Sequence, residues 1–490
     1  MTLTPFDRFV DLARDSPLAP VWKEVRTDLL TPVSAFLAWA GDASHAFLLE
    51  SIEGGERVGR YSFIGRDPFL TLRADGDHTA IEGAGRSERT AEPFLTVLRR
   101  HLERYRTAPV PDLPPLTSGA VGYFPYDAAA WFEPALRRPG GDTPTTEPAT
   151  FMFFDTVVAF DSVRRRSVIV THAKVGDYAG LRPAYDAACA RIAEIEQALR
   201  QPVASHRRPP SPPTSIRTTT DAEPFERAVG LAKEAIAAGD AYQVVLSRRF
   251  ETDITVDPFS VYRALRHVNP SPYLYFLRVG DLSIAGSSPE MLVRVGGRTA
   301  ETHPIAGTRP RGATRADDEV LATELLANEK ECAEHVMLVD LGRNDLGRVC
   351  EYGSVEVTRF MEVVRFSHVM HIASTVRGTL AEGRGGLDAL ASCFPAGTVS
   401  GAPKIRAMQI IADLEPHGRG LYAGGIGYID FAGNLDFCIA IRTIVMRGGR
   451  ATMQAGAGIV FDSDPTAEFA ETSHKADALR RALDLAHARG

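Results

Sequence analysis

The sequence predicts an α+β fold in which mostly antiparallel strands pack against helices, and three observations carry that expectation. Short apolar runs with strand-like alternation recur in both halves of the chain. Two of them, GGIGYID (424–430) and LDFCIAIRTIVM (435–446), flank the turn-type FAGN and read as a hairpin. Runs of helical period lie between and after the strands, at 322–343, 402–415 and 465–487. Hairpin-connected strands with helices segregated to their faces make a layered fold.

Along the first half, AFLLESI (46–52), RYSFIGRDPFLTLRA (60–74) and TFMFFDTVVAFD (150–161) read as buried or half-buried strands, and 93–105 as a helix. An amphipathic helix over 178–200 is followed by QPVASHRRPPSPPTSIRTTT (201–220), rich in Pro, Ser and Thr. That stretch has no hydrophobic period and cannot pack a core. A boundary follows: an N-terminal region 1–205, a linker 206–220 and a second region 221–490 that opens on a helix at 222–238. Further strands are expected at 271–280, 283–288, 290–297 and 367–378. No repeat is visible at periods of 20–50 residues.

The chain has 490 residues, 44% hydrophobic and 24% charged, the balance of a soluble globular protein of more than one structural unit. Lys and Arg number 55 against 62 Asp and Glu, a net charge of −7 that argues against a general nucleic-acid binder. Five cysteines, odd in number and without a CxxC pair, argue for a reducing compartment and against a zinc ribbon. The N-terminus has no apolar h-region, and no run approaches a membrane span, so the cytoplasm is expected. No cysteine sits in a GxCxG or CxxC strand-to-helix turn, so no nucleophilic thiol is expected.

Two helices carry acids at one-face spacing: Glu331, Glu334 and His335 on one, Glu468, Glu471 and Lys475 on the other. Charged faces are ordinarily solvated. If both faces turn inward, four carboxylates converge and need a cation, and oxygen-only ligation favours Mg²⁺ over zinc. His368 and His371 lie in a strand-like stretch, where a spacing of three points them to opposite faces, so at most one can serve a site. Residues 396–404 (AGTVSGAPK) lead into a helix and suit an anion, whereas QAGAG (454–458) and GGIG (424–427) read as tight turns. Arg442 is expected in a strand, on the face of Cys438 and Ala440, where a guanidinium among small neighbours suits a carboxylate ligand or a strand-edge salt bridge.

The stretches GSSPE (286–290), HPIAGTRPRG (303–312), NEKECAEHVMLVDLGRNDLGRV (328–349), SHVMH (367–371), CFPAGTVSGAPK (393–404), YAGGIGYID (422–430), FCIAIRT (437–443), QAGAGIV (454–460) and AEFAETSHKA (467–476) together resemble the chorismate-utilising enzymes. Within that family the resemblance is to the anthranilate-forming branch, and it extends more thinly through LLES (48–51), RYSF (60–63) and GAVGYFPYD (119–127). It implies an antiparallel β-sheet sandwich wrapped by helices, with the N-terminal region packed on the catalytic region. It also implies a reaction: chorismate and ammonia give anthranilate and pyruvate, with Mg²⁺ required. Ammonia would come from a separate glutamine amidotransferase subunit, making a hetero-oligomer.

The resemblance implies that Glu334 and Glu471 ligate Mg²⁺, with Glu331 and Glu468 in the inner or water-mediated shell. Glu290 would protonate the departing C4 hydroxyl, its pKa raised by nearby carboxylates, and His371 would assist the second stage. Tyr422, Arg442, Gly456, Ala457 and Gly458 would bind the enolpyruvyl carboxylate, with Gly307, Thr308, Thr398 and Lys475 completing the pocket. Ala306 stands where aminodeoxychorismate synthases of the family carry a reactive lysine, which disfavours that alternative. Gln243 stands where isochorismate and salicylate synthases place a water-activating lysine. A catalytically inactive amino-acid-binding regulator is the other alternative, and it would have had to spare every one of these residues. Feedback binding of tryptophan is implied between LLES and NPSPYLYF (269–276), at Glu50, Ser51, Pro272 and Tyr273, with Arg60 and Leu274 alongside. The bland alternative there is a core strand and a turn.

Overall fold

The structure is a computed structural model that describes residues 3–14, 16–26, 29–51, 59–83, 85–137, 147–202, 215–366 and 369–489. The amino half opens with α1 (Phe6–Ala13), β1 (Leu18–Val25), α2 (Pro32–Ala40), β2 (His45–Glu50) and β3 (Tyr61–Arg66). Next come β4 (Leu70–Asp75), β5 (His78–Gly83), β6 (Arg86–Thr90), α3 (Phe94–Arg104) and β7 (Gly119–Phe124). It closes with α4 (Ala129–Phe132), β8 (Thr150–Phe154), β9 (Thr156–Asp161), β10 (Arg166–Lys174) and α5 (Leu181–Leu199).

The second half begins with β11 (Arg217–Thr218), α6 (Ala222–Ala237), β12 (Gln243–Asp253), α7 (Pro258–Val268), β13 (Tyr273–Val279) and β14 (Leu282–Ser288). Then follow β15 (Met291–Gly296), β16 (Thr299–Thr302), β17 (Ile305–Pro310), α8 (Arg315–Ala327), α9 (Glu329–Gly347), β18 (Glu356–Arg365) and β19 (Val369–Thr379). The last elements are α10 (Gly386–Cys393), α11 (Gly397–Ser400), β20 (Gly401–Ala402), α12 (Lys404–Leu414), β21 (Gly425–Asp430), β22 (Leu435–Ile439), β23 (Thr443–Arg447), β24 (Arg450–Ile459) and α13 (Pro465–Arg489).

These strands build two antiparallel sheets. The first runs β1-β10-β9-β3-β2-β13-β14-β23-β24-β12-β11, with β20 on β12. The second runs β17-β19-β16-β15-β22-β21-β7-β8-β4-β5-β6, with β18 on β19. Each order is palindromic about a seam, β2 against β13 in the first sheet and β21 against β7 in the second. Apart from β11 and β17 at the outer edges, the two halves thus contribute matching strand orders, a correspondence beyond the reach of a search for short periods. The two halves share both sheets strand to strand and are not separate modules. Residues 203–214, most of the expected linker, lie outside the described residues; Arg217 and Thr218 already pair with β12.

A core between the sheets interleaves Phe47, Phe63, Tyr275 and Ile284 of the first with Val121, Phe154, Ile426 and Cys438 of the second. Helices α1, α2, α5, α7 and α13 cover the outer face of the first sheet through Phe9, Phe36, Tyr185, Phe259 and Leu479. Helices α3, α9, α10 and α12 cover the second through Phe94, Leu346, Leu390 and Met408. The expected sandwich wrapped by helices is what forms.

Three local expectations are corrected. GGIG and QAGAG are not tight turns: Gly425–Asp430 and Arg450–Ile459 are strands, and their glycines serve close approach. A Cβ on Gly427 would fall 2.0 Å from the Asp436 carbonyl oxygen, and one on its partner across the seam, Gly122, 2.0 Å from that of Thr150. The helix expected over 322–343 is two, broken at Asn328, whose side chain caps the second by accepting from Glu331 N–H at 3.0 Å. Arg442 is not in a strand. Residues 435–446 divide into β22 and β23, which belong to different sheets, and Arg442 makes the crossing at φ +51°.

Candidate active site

Two such crossings lie side by side and organise the site. Between β14 and β15 the chain passes from the first sheet to the second and carries Glu290; between β22 and β23 it returns and carries Arg442. Ile439 N–H donates to the Glu290 carbonyl at 3.1 Å, and Ser287 N–H to the Arg442 carbonyl at 3.1 Å. Main-chain groups freed from one ladder are thereby satisfied by the other crossing, which fixes both side chains.

Glu290 is only 5% exposed. Thr398 of α11 donates its hydroxyl to the carboxyl at 2.6 Å. Burial pushes the pKa up to about 8, against the pull of hydrogen bonds from Thr398 and Ile305 N–H. The shift was expected from neighbouring carboxylates; its cause is desolvation. The result is a carboxylic acid protonated at neutral pH.

His371 sits in β19 with Nδ1 at 2.8 Å from the Gly307 carbonyl and 3.1 Å from the Thr308 hydroxyl. A carbonyl only accepts, so Nδ1 carries the proton and Nε2 of the neutral ring is left basic. Burial foremost, and then the charge of Arg442, lower the pKa, while the bond to Gly307 opposes them. A bulge in β17 puts Gly307 at φ +64°, which glycine adopts without strain. His368 lies outside the described residues.

Arg442 is buried enough to lower its pKa, and among the described residues no carboxylate pairs with it. Such a guanidinium, beside a neutral histidine, suits a bound anion. Opposite, β24 runs along β12 with Gly456 facing Ser247 and Gly458 facing Val245. A Cβ on Gly456 would meet the Tyr422 hydroxyl at 2.7 Å, and one on Gly458 would meet Gln243 Nε2 at 2.6 Å. Both glycines therefore preserve room against a named side chain. Ala457 turns its methyl the other way, into the core with Leu246, leaving only its main chain to the site.

Three of the four candidate metal carboxylates already have partners. Glu334 accepts from Gln243 Nε2 at 3.1 Å, and Glu331 from Arg309 at 3.4 Å. Glu471 pairs with Lys475 at 2.7 Å, whose ammonium also donates to the Gly456 carbonyl at 3.0 Å. Lys330 of α9 acts on Glu468 of α13, which brings the two helix ends together. Among the described residues, no three His, Cys, Asp or Glu side chains already stand as a metal site. The donor set suits a hard cation, since every candidate atom is a carboxylate oxygen. Burial raises the Glu468 pKa and the charge of Glu471 raises it further, a repulsion that a cation would relieve. His335 does not share this face: it is fully buried, bonds Ser374 Oγ at 2.6 Å, and burial pulls its pKa to about 4.

Sequence reasoning missed a buried polar knot beneath the site. Glu415 accepts from Ser247 N–H and hydroxyl, both at 2.8 Å, and pairs with Arg419 at 2.7 Å. Arg419 also donates to the carbonyls of Val399 and Val245 at 2.7 and 2.6 Å and stacks 4.7 Å over Tyr126. It ties the Thr398 segment to β12. The only signal was an i,i+4 acid–base spacing, which reads as an ordinary surface pair.

The residues expected around tryptophan fall at the β2–β13 seam, where Glu50 pairs with Leu274. Glu50 is held by Arg266 at 3.0 Å and by the Tyr262 hydroxyl. The Ser51 hydroxyl is buried, with no hydrogen-bond partner among the described residues. Tyr273 donates to Asp436 at 3.0 Å, and Arg60 is engaged by Asp161.

A buried acid held protonated, a histidine with a fixed tautomer and an arginine without a carboxylate partner among the described residues make a site suited to acid–base chemistry on a small anion. The chain belongs to the chorismate binding enzyme family, whose profile matches residues 44–481. It is 48% identical to anthranilate synthase component 1 of Streptomyces coelicolor, over 97% of this chain and 91% of that one. It is 44% identical to the protein of that name from Acetivibrio thermocellus, over 97% of each. The fold matches the crystal structure of anthranilate synthase component I from Streptococcus pneumoniae with a TM-score of 0.77 at 35% identity, covering 94% of this chain and 99% of that one. The Escherichia coli isochorismate synthase MenF shares the fold, with a TM-score of 0.70 at 20% identity over 98% of each chain.

Proposed function

We propose that this chain is the ammonia-using synthase subunit that converts chorismate and ammonia to anthranilate and pyruvate, a carbon–oxygen lyase of tryptophan biosynthesis. The observation that carries this reading is the near-full-length identity to anthranilate synthase component 1 chains; the site chemistry agrees with it. Arg442 receives the enolpyruvyl carboxylate, with Tyr422 and the glycine-lined strand β24 leaving room for it. Glu290, held by Thr398, gives its proton to the departing C4 hydroxyl as ammonia adds at C2, and water leaves. His371 Nε2 then takes the C2 proton as pyruvate is lost. Gln243, an amide, cannot deprotonate water, which favours ammonia as the nucleophile. Mg²⁺ would be held by Glu334 and Glu471, with Glu331 and Glu468 close by, and would supply charge neutralisation for the ring carboxylate. Ammonia would come from a glutamine amidotransferase subunit. A reducing cytoplasm suits the five cysteines, all free.

Purified chain, chorismate, Mg²⁺ and an ammonium salt at mildly alkaline pH are expected to yield anthranilate, read by fluorescence and mass, with pyruvate in equal amount. Folded protein that makes no anthranilate overturns the reading. Glu334→Gln is expected to lose both activity and calorimetric Mg²⁺ binding; retention of the binding would place the metal elsewhere.

Tryptophan is expected to inhibit the same assay by occupying the β2–β13 seam, where its polar end satisfies the Ser51 hydroxyl. Ser51→Ala should weaken inhibition roughly fivefold, the worth of a hydrogen bond of about 1 kcal/mol. Identical inhibition curves for the two proteins would remove Ser51 from the regulatory site.

A further inference from the structure

Behind Glu290, on the side of α9 and α10, lies a cavity of about 30 Å³. Glu290, Thr398 and Thr302 line it together with Leu338, Leu341 and, on α9, Asp345. Asp345 accepts from Lys404 Nζ at 2.8 Å, and Lys404 also donates to the Cys393 carbonyl at 3.3 Å. The two side chains of this pair are each 9% exposed. Nothing in the reaction assigned to the site uses this ion pair, and its burial carries a desolvation penalty that a purely structural role would avoid with apolar residues.

Glu290 has a supply problem. Each turnover leaves it as a carboxylate, almost wholly buried, and a proton must return before the next. A cavity of this size holds about two water molecules, and it offers them hydrogen-bonding groups at both ends. We propose that Asp345, paired with Lys404, returns the proton to Glu290 through water held in this cavity. A cavity water gives a proton to the Glu290 carboxylate and takes one from the Asp345–Lys404 pair, which is refilled from solvent. Only O–H and N–H bonds form and break, and the net change is one solvent proton delivered. The proton lost by the newly added ammonium group balances it on the other side of the active site. Burial raises the Asp345 pKa, with the charge of Lys404 opposing, which brings this carboxyl closer to proton-carrying range. Asp345 thus acts through Glu290 and touches no substrate.

The inference rests on Glu290 as the proton donor, and a first-turnover experiment separates it from that reading. Rapid-quench measurement of anthranilate, with the full chain, chorismate, Mg²⁺ and an ammonium salt, gives the first-turnover rate and the steady-state rate. In Asp345→Asn the first turnover draws on a Glu290 protonated beforehand, so it is expected near the wild-type rate. Steady-state turnover should fall, raising the ratio of the two rates at least tenfold over wild type. Leu338→Phe fills the cavity, leaves every charged group in place, and should raise the ratio in the same way. That variant carries the test if Asp345→Asn does not fold. A wild-type ratio in the folded variants, whether both rates fall together or neither falls, overturns the relay. A wild-type enzyme that makes no anthranilate at all overturns the function instead.

Discussion

Glu290→Gln is expected to lower kcat by about 10²–10⁴-fold with little change in the KM for chorismate. Glutamine keeps the shape and still accepts the Thr398 hydrogen bond through its carbonyl, so the crossing between β14 and β15 should survive. What disappears is the proton. The wild-type rate with ammonium salts should first rise with pH as free ammonia accumulates. It should then fall above about 8, where Glu290 loses its proton. The glutamine variant should lack the falling limb. Stability supplies an independent check with a definite sign. The folded-state pKa is raised, so the contribution of Glu290 is fully present below about 4.5 and is lost as pH climbs through about 8. Glutamine does not titrate, and the melting temperature of the variant should gain on wild type over that window. A variant that retains more than a tenth of wild-type kcat would remove Glu290 from the chemistry.

How far the sequence reveals this site depends on what kind of feature is being read. The α+β class and most strands and helices follow from local period, though the small-residue stretches at 424–427 and 454–458 lie in strands and the helix over 322–343 breaks at Asn328. Residues 435–446 show where that information ends. Both β22 and β23 are largely buried, and only Arg442 and Thr443 interrupt the apolar run where the chain changes sheets. Alternation records which residues are buried and not which sheet buries them. The same limit hides the matching strand orders of the two halves, because strand order is a property of partners far apart in sequence. The acids on α9 and α13 were legible as faces, but their present partners, Gln243, Arg309 and Lys475, come from other strands or from the next helical turn. Glu290 and Arg442 were legible through motifs; that they are neighbours follows only from the paired crossings.

The largest expected loss of stability comes from a residue without any sequence signal, Arg248, in the mostly buried strand β12. It is 2% exposed, and its guanidinium lies 3.6 Å over the Phe469 ring. It donates to Thr472 Oγ1 at 2.8 Å, Ser473 Oγ at 2.7 Å and the Phe469 carbonyl at 3.0 Å. Burial lowers its pKa to about 10, so it remains charged at neutral pH, and its stabilisation comes from the aromatic face and these oxygens. Arg248→Ala empties a large buried side chain and strips those partners, a loss of about 3–5 kcal/mol by analogy with other large-to-small core substitutions. The consequence for function follows from helical register. Phe469, Thr472 and Ser473 are the α13 residues that bind β12, and Glu468, Glu471 and Lys475 alternate with them. Loosening the first set releases the second, so the Mg²⁺ binding proposed for Glu471 and its neighbours should weaken along with the urea midpoint. Arg248→Lys, which keeps charge but loses the planar fork, should lie between alanine and wild type in both measurements. An unfolding free energy from urea titration for Arg248→Ala within about 1 kcal/mol of wild type, at unchanged m-value, would mean that α13 is held by its apolar residues alone.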